Sequence, residues 1–119
     1  MRSICIGYDK REHEAAVVAA CSLDIHAPGV VRHLIMLDAL RALGLYWRPT
    51  SERNGQLWDD ISEAPMSTEF AISRFLAPYL VADGWVLFVD SDILVRGDLD
   101  RLFAAADSDY AVMCVKHAH

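Results

Sequence analysis

The sequence lacks the features that mark several large classes of protein. It has no glycine-rich phosphate loop of the GxGxxG or GxxxxGK[ST] type. No apolar run approaches the about 20 residues that a membrane-spanning helix needs. The net charge of −6 argues against a surface that coats nucleic acid. An acidic chain can still bind a nucleotide, provided that a cation neutralises the phosphates.

Cysteines are few, and they show no metal-binding or redox spacing. Cys5, Cys21 and Cys114 are an odd number with no CxxC pair, which argues against a disulfide framework. Each lies in an apolar context, so the sequence predicts three buried thiols in a reducing compartment. The first residues are charged too early for a secretory signal peptide. A cytoplasmic protein is therefore expected.

The chain is rich enough in apolar residues to form one globular domain over residues 1–119. Hydrophobic residues make up 54% and charged residues 24% of the 119 positions. Composition and turn signals predict these elements: strand 3–8, a helix capped by Asp9, strand 30–37, a helical turn closed by Gly44, a long polar loop over 46–65, helix 67–81 interrupted near Ala77 by Pro78, a fully buried strand 85–89, helix 97–106 and a last strand 110–115. The β-α-β-loop-α-β-α-β order predicts an α/β fold with a mostly parallel sheet and flanking helices.

Two acids follow the apolar run "WVLFV" at the expected carboxyl edge of this sheet. Asp90 and Asp92 are two residues apart, so an extended backbone points both in the same direction. Ligands of open α/β sheets bind at this edge. Two carboxylates directed at one point suit Mn²⁺ or Mg²⁺, with water and phosphate oxygens completing the coordination. The motif therefore predicts a divalent metal site.

Two other interpretations of this Asp-Ser-Asp motif remain open. It can be a polar turn in which Asp90 caps the next element. It can also belong to a haloacid-dehalogenase-like phosphatase, with Asp90 as nucleophile and Asp92 as general acid. That class has its DxD after the first strand, whereas here the motif comes late in the chain.

The stretch "RFLAPYL…GWVLFVDSDILVRGDLDRLF" resembles the central segment of GT-A-fold glycosyltransferases, especially glycosyltransferase family 8. The start "ICIGYDKRE" is similar to the first strand and nucleotide-binding loop of that family. The resemblance implies a Rossmann-like nucleotide-diphospho-sugar transferase fold. It also implies transfer of a hexose-type sugar from a nucleotide sugar, usually a UDP-sugar, with Mn²⁺ held by the DxD motif.

The resemblance assigns roles to individual residues, although no catalytic residue follows from it. Asp92 and Asp90 would hold the metal, and Asp90 or Ser91 would contact the ribose. Tyr8 would stack on the base, and Asp9 would accept a hydrogen bond from a ring N–H.

Two arginines complete the implied nucleotide-sugar site. Arg74 matches the family's helix arginine, which approaches the sugar or the diphosphate, and its fork suits that role. Arg11 is a further basic candidate. Ordinary structural roles remain open: Tyr8 as a strand-end aromatic, Asp9 as a helix cap, Arg74 as a solvent-facing charge, and Arg11 as the partner of a neighbouring glutamate.

The chain is shorter than the family's domain, so the resemblance implies a truncated form without the acceptor-binding segments. His117 and His119 are weak candidates for a further metal ligand because they lie near a terminus. A non-catalytic remnant or assembly module is therefore the alternative to an enzyme. An exposed final strand would also allow self-association into a homo-oligomer.

Overall fold

The computed structural model describes residues 2–81 and 83–118. The predicted small α/β domain is confirmed. In chain order the elements are β1 (Ser3–Gly7), a 3₁₀ turn (Lys10–Glu12), α1 (His13–His26), β2 (Val31–Ile35), α2 (Leu37–Ala42), β3 (Thr50–Arg53), β4 (Gln56–Asp59), β5 (Ala64–Met66), a second 3₁₀ turn (Ser73–Leu76), α3 (Ala77–Leu80), β6 (Val86–Val89) and α4 (Asp100–Ala104).

The main sheet is parallel and has the strand order β2-β1-β6. β1 is the central strand, and all five of its residues are buried. That burial explains its unbroken apolar character, because a central parallel strand is covered on both faces. β6 lies at an edge and is only half-buried along its length, so the prediction of a fully buried strand here is wrong.

Helices cover both faces of this sheet. On one face, Ile4 and Ile6 pack with Leu23 of α1, and Phe103 of α4 packs against the same cluster. The opposite face is covered by apolar residues of α2, α3 and the segments between them, namely Leu37, Leu40, Tyr46, Phe70 and Ala77. The alternation of side chains along β1 therefore divides the core into two clusters.

The region 46–65 is not a loop, as the sequence predicted, but contains most of a second sheet. β3, β4 and β5 form an antiparallel sheet in that order, ending just beyond the region at Met66. Asn54 and Gly55 form the two-residue turn between β3 and β4, with φ values of 52° and 75°. Such a turn requires positive φ at both central positions, which Asn-Gly tolerates well. The Asn-Gly pair was therefore a hairpin signal within a polar stretch.

The predicted helix over 67–81 is also wrong for most of its length. Only the 3₁₀ turn Ser73–Leu76 and the four-residue helix α3 form. Pro78 lies in the first turn of α3, where its missing N–H costs nothing, so it starts a helix at Ala77 instead of kinking one. The predicted restart near Ala77 is thus confirmed, while a cap at Ser67 or Thr68 is not.

Among the described residues, α1 is the longest helix, with 14 residues. The other α-helices span four to six residues. Asp9 caps the turn that precedes α1, since its side chain accepts a hydrogen bond from the backbone N–H of Arg11. The last helix spans Asp100–Ala104, which is shorter than the predicted 97–106. In the part of the chain that the structure describes, no helix combines the length and the apolar character that crossing a membrane requires.

The predictions of a last strand and of three buried cysteines are also wrong. Residues 110–115 form no strand, and all of them are exposed. Only Cys5 is buried, where burial raises the pKa of its thiol, whereas Cys21 and Cys114 are exposed. All three thiols are free.

Candidate functional site at the carboxyl edge of the parallel sheet

The strand order changes direction between β1 and β6, and we call the region just beyond the carboxyl ends of these two strands the crevice. From β1 the chain passes through α1 to β2 on one side, and it later returns across β1 to form β6 on the other side. Neighbouring strands whose connections diverge in this way mark a topological switch point, where open α/β sheets bind ligands. The register pairs Ile6 with Val89, so the segments after both strands leave the sheet side by side.

The sequence-predicted residues converge on this crevice. Tyr8 and Asp9 follow β1, while Asp90, Ser91 and Asp92 follow β6. Phe70 packs directly beneath the end of β1, and a side-chain carbon at Gly7 would lie 2.5 Å from its ring. β1 thus requires glycine at its last position, where the chain turns towards the crevice.

Asp90 and Asp92 are exposed carboxylates at the crevice. The side chain of Asp90 is 49% exposed, and among the described residues its ionic contact is with Arg74, at 3.9 Å. Asp92 is exposed and makes no hydrogen bond or ion pair within residues 2–81 and 83–118. A carboxylate offers about four acceptor positions, so most of those on this pair are available for a ligand.

Ser91 lies between the two acids and is fully buried. Its hydroxyl donates a hydrogen bond to Oε2 of Glu12 at 3.3 Å, across the crevice. Contact between the Ser91 hydroxyl and a ribose would therefore have to replace this bond. Sequence reasoning missed Glu12, because its partner is 79 residues away and no local pattern joins them.

Arg74 is held in a fixed position beside the crevice. Its guanidinium lies over the rings of Phe70 and Phe88, at 5.3 and 5.4 Å from their centroids. Its Nε donates to the carbonyl oxygen of Phe70 at 3.2 Å. A guanidinium supported by aromatic rings and facing Asp90 is not a freely solvated helix charge, and it has donors left for a phosphate.

Asp9 differs from Asp90 and Asp92 because hydrogen-bond donors occupy its acceptor positions. Arg11 donates three hydrogen bonds to it, from the backbone N–H and from two guanidinium nitrogens, and the backbone N–H of Glu69 donates a fourth. The Arg11 side chain, as the largest cause, lowers the pKa of the buried Asp9 carboxyl to about 2. Asp9 could accept a bond from a nucleotide base only by releasing one of these donors.

Arg11 therefore pairs with Asp9 and not, as the sequence suggested, with a glutamate. The same guanidinium donates to the carbonyl oxygen of Ser67 at 3.2 Å. Glu69 adds to this connection, because it accepts a hydrogen bond from the backbone N–H of Lys10 at 3.1 Å. Arg11 thus joins the loop after β1 to the segment 67–69, which is a positioning role.

Tyr8 is half-buried at the end of β1. Its hydroxyl forms a 2.8 Å hydrogen bond with Nδ1 of His13, and the two rings meet edge to face. The backbone N–H of Tyr8 donates to the carbonyl oxygen of Ile35, which extends the pairing with β2. His13 is a second crevice residue that the sequence did not reveal, since only the fold brings it against the Tyr8 ring.

The donor set for a metal ion is small. Within the described ranges, no group of three or more histidine, cysteine or acidic side chains is arranged to hold a metal. Asp90 and Asp92 alone suit a cation that takes its other oxygens from water and phosphate, as Mg²⁺ and Mn²⁺ often do. His117 makes no such group with the pair, and His119 lies outside the described residues.

A surface cavity of about 460 Å³ lies between α1 and the segment 94–96. Its walls are mainly apolar and include Val18, Ile25 and Leu94. None of the predicted site residues lines it. The candidate site is therefore the open crevice, which is defined by its charges and its place in the sheet.

Comparison with known proteins gives one informative result. The chain is 41% identical over 117 residues to a protein of Arabidopsis thaliana named "Protein CDI". The match covers 96% of this chain but only 40% of that relative. No protein-family profile matches the chain, and no solved structure matches it. The similarity thus extends over nearly the whole of this chain, and the relative's name does not state an activity.

Proposed function

We propose that the crevice binds a nucleotide sugar, most suitably a UDP-sugar, through a divalent cation held by Asp90 and Asp92. The observation that carries the proposal is the position of these exposed carboxylates at the topological switch point between β1 and β6. Bound there, Mn²⁺ or Mg²⁺ would neutralise the charge of the diphosphate.

The neighbouring residues supply complementary contacts. Arg74 has a supported guanidinium on the same side as Asp90, where it can donate to a diphosphate oxygen. Tyr8 presents a ring at the end of β1 on which a base can stack. Arg11 holds the loop that carries Tyr8 and contributes by positioning, because Asp9 occupies its guanidinium.

This arrangement supports a GT-A-like glycosyltransferase domain that transfers the sugar to an acceptor. The chain spans 40% of the length of the curated relative that it matches, so the activity of the whole relative is also a matter of proposal. Free thiols and a net charge of −6 favour a cytoplasmic location and disfavour nucleic acid as a partner.

Calorimetric titration with UDP, in the presence and absence of Mn²⁺, tests the proposal. We expect binding that depends on the metal and that weakens at least about tenfold in Asp92→Asn, because the metal loses a negatively charged ligand. Asp83→Asn is the matched control, since Asp83 is an exposed acid just before β6, at the opposite end of the strand. Binding that ignores the metal, or an equal loss in both variants, would refute the metal site.

A second assay separates the enzyme from its alternatives. A glycosyltransferase-like domain should hydrolyse or transfer the sugar of a UDP-sugar slowly when Mn²⁺ is present. Metal-dependent binding without turnover would indicate a non-catalytic module. Incorporation of phosphate from a phosphate ester onto Asp90 would instead support the phosphatase interpretation.

A further inference from the structure

The basic side chains of the 3₁₀ turn after β1 are already paired with acids. Arg11 donates to Asp9 through two guanidinium nitrogens, and Nζ of Lys10 lies 3.5 Å from Oε1 of Glu69. Arg74 differs because it faces the proposed metal-binding carboxylates, at 3.9 Å from one of them. Of these three cations, Arg74 is therefore the one that a ligand held by those carboxylates would meet.

The backbone of β6 explains why Arg74 lies beside Asp90. Phe88 and Asp90 are two residues apart, so an extended backbone directs both side chains to the same face of the sheet. The Arg74 guanidinium lies over the Phe88 ring, at 5.4 Å from its centroid. A group that stacks on Phe88 is thereby held next to the carboxylate that follows it in the chain.

Further contacts keep the Arg74 guanidinium in this place. It lies 5.3 Å from the centroid of the Phe70 ring, and its Nε donates to the carbonyl oxygen of Phe70 at 3.2 Å. Phe70 is buried in the core and packs against Gly7 of β1, so it is not free to shift. The positive charge is therefore a fixed part of the site, and moving it away would cost these contacts.

The charges of the site do not suit a bare divalent ion. Asp90 and Asp92 each carry a negative charge, and Arg74 carries a positive one. A divalent ion bound to the acids would leave an excess of positive charge, and the ion and the guanidinium would repel each other. A diphosphate that arrives with the ion brings the missing negative charge, and its oxygens accept hydrogen bonds from a guanidinium.

We propose that Arg74 determines which form of the metal the crevice accepts, because it opposes the bare ion and favours an ion that is already bound to a diphosphate. This role rests on the proposed function, since it requires the metal site at Asp90 and Asp92. The ligand of the site is then a complex of a divalent metal with a nucleoside diphosphate, which binds as one unit. One positive charge thus has opposite effects on two ligands, which an arginine with a purely structural role would not have.

Binding of Mn²⁺ alone gives the first test, because the electron paramagnetic resonance signal of free Mn²⁺ reports how much of the ion remains unbound. We expect weak binding by the unmodified chain and at least about fivefold tighter binding by Arg74→Gln, since the repulsion between the two cations is removed. Arg74→Lys keeps the positive charge and should remain close to the unmodified chain. Arg96→Gln is the matched control, because it removes the same charge from the cavity beside α1.

Calorimetric titration with UDP in the presence of Mn²⁺ gives the second test. Here Arg74→Gln should bind about tenfold or more weakly, because a hydrogen bond to the charged diphosphate is lost. A loss of folded protein would weaken the binding of both ligands, so tightening of one and weakening of the other excludes it. Added salt should reduce the gain for Mn²⁺ alone, since it screens the repulsion at this partly exposed site.

A second substitution shows where the ion binds. The tightened Mn²⁺ binding of Arg74→Gln should be lost when Asp92→Asn is added, because the ion then lacks one of its two charged ligands. It should be kept when Asp83→Asn is added, since Asp83 is an exposed acid before β6. Tight binding that survives Asp92→Asn would place the ion elsewhere and would overturn the role of Arg74.

The remaining outcomes distinguish this role from the proposed function. Metal-dependent UDP binding, together with unchanged or weaker Mn²⁺ binding by Arg74→Gln, would overturn the role of Arg74 and leave the metal site intact. An equal gain in Arg74→Lys or Arg96→Gln would do the same, because the local charge would then not be the cause. If UDP does not bind, or binds regardless of Mn²⁺, the proposed function is wrong and the role of Arg74 is wrong with it.

Discussion

Two regions of this protein hold aspartates in opposite ways. In the antiparallel sheet, Asp59 is buried and accepts four hydrogen bonds, two from Arg48 and two from Ser62. At the edge of the parallel sheet, Asp90 and Asp92 are exposed. Within the described residues, Asp90 has one ionic contact, with Arg74, and Asp92 has none. A saturated carboxylate stabilises a fold, whereas one with free acceptor positions can bind a ligand.

Asp9 shows that the location of an acid does not decide its role. It lies beside the crevice, yet Arg11 and the backbone of Glu69 saturate it, as Arg48 and Ser62 saturate Asp59. In both cases the arginine bond lowers the pKa of the carboxyl. The acids therefore fall into two groups according to their hydrogen bonds, and the following substitutions test that division.

Asp59→Asn should cause the largest loss of stability, because it leaves a partly buried arginine without its anionic partner. Chemical denaturation would measure the loss. Asp60→Asn is the control, since Asp60 lies next in sequence, is only half-buried and bonds the Ser51 hydroxyl. Equal denaturation midpoints for the two variants would contradict the structural role of Asp59.

Stability should fall in acid because of both saturated carboxylates. The folded pKa of Asp9 is about 2, below the value of about 3.9 in an unfolded chain. A depressed pKa gives stability that is complete above about pH 4 and is lost as the pH falls towards 2. Thermal unfolding from pH 6 to pH 2 would show this loss. Arg11→Gln should make the dependence shallower, and an unchanged slope would contradict the assignment.

Arg74→Gln should weaken metal-dependent UDP binding by about tenfold to a hundredfold, the value of a hydrogen bond to a charged group. Its thermal stability should change little, because the charge is partly solvated. Arg96→Gln is the control, since Arg96 is exposed near the cavity of α1. If calorimetry finds equal UDP affinities for the two variants, Arg74 does not contribute to UDP binding.

Tyr8→Phe should have the smallest effect on binding, because the ring that stacks on a base is kept. It removes the bond to His13 and should cost about 0.5–1.5 kcal/mol of stability or less. Tyr8→Ala removes the ring and should reduce UDP affinity by about tenfold. If both variants bind UDP equally, the ring does not stack on the base.

The exposed acids illustrate what a local pattern can predict. The spacing of Asp90 and Asp92 after an apolar strand placed them correctly at the carboxyl edge, because the strand itself and the alternation of its side chains are local properties. The Asn54–Gly55 turn was also a local signal for a hairpin. The strands on either side of it were missed because their residues are mostly polar. The failed helix over 67–81 had helical composition, and packing against β1 and α2 overrode it.

The sequence by itself determined the parallel α/β sheet and the position of the acid pair, since the chain encodes both in short runs. Only the tertiary structure decided which carboxylates remain available. Donors to Asp9 include Glu69, 60 residues away, and the partner of Ser91 is Glu12, 79 residues away. Whether a carboxylate is saturated depends on such distant donors, so the fold and not the motif separates structural acids from candidate ligands.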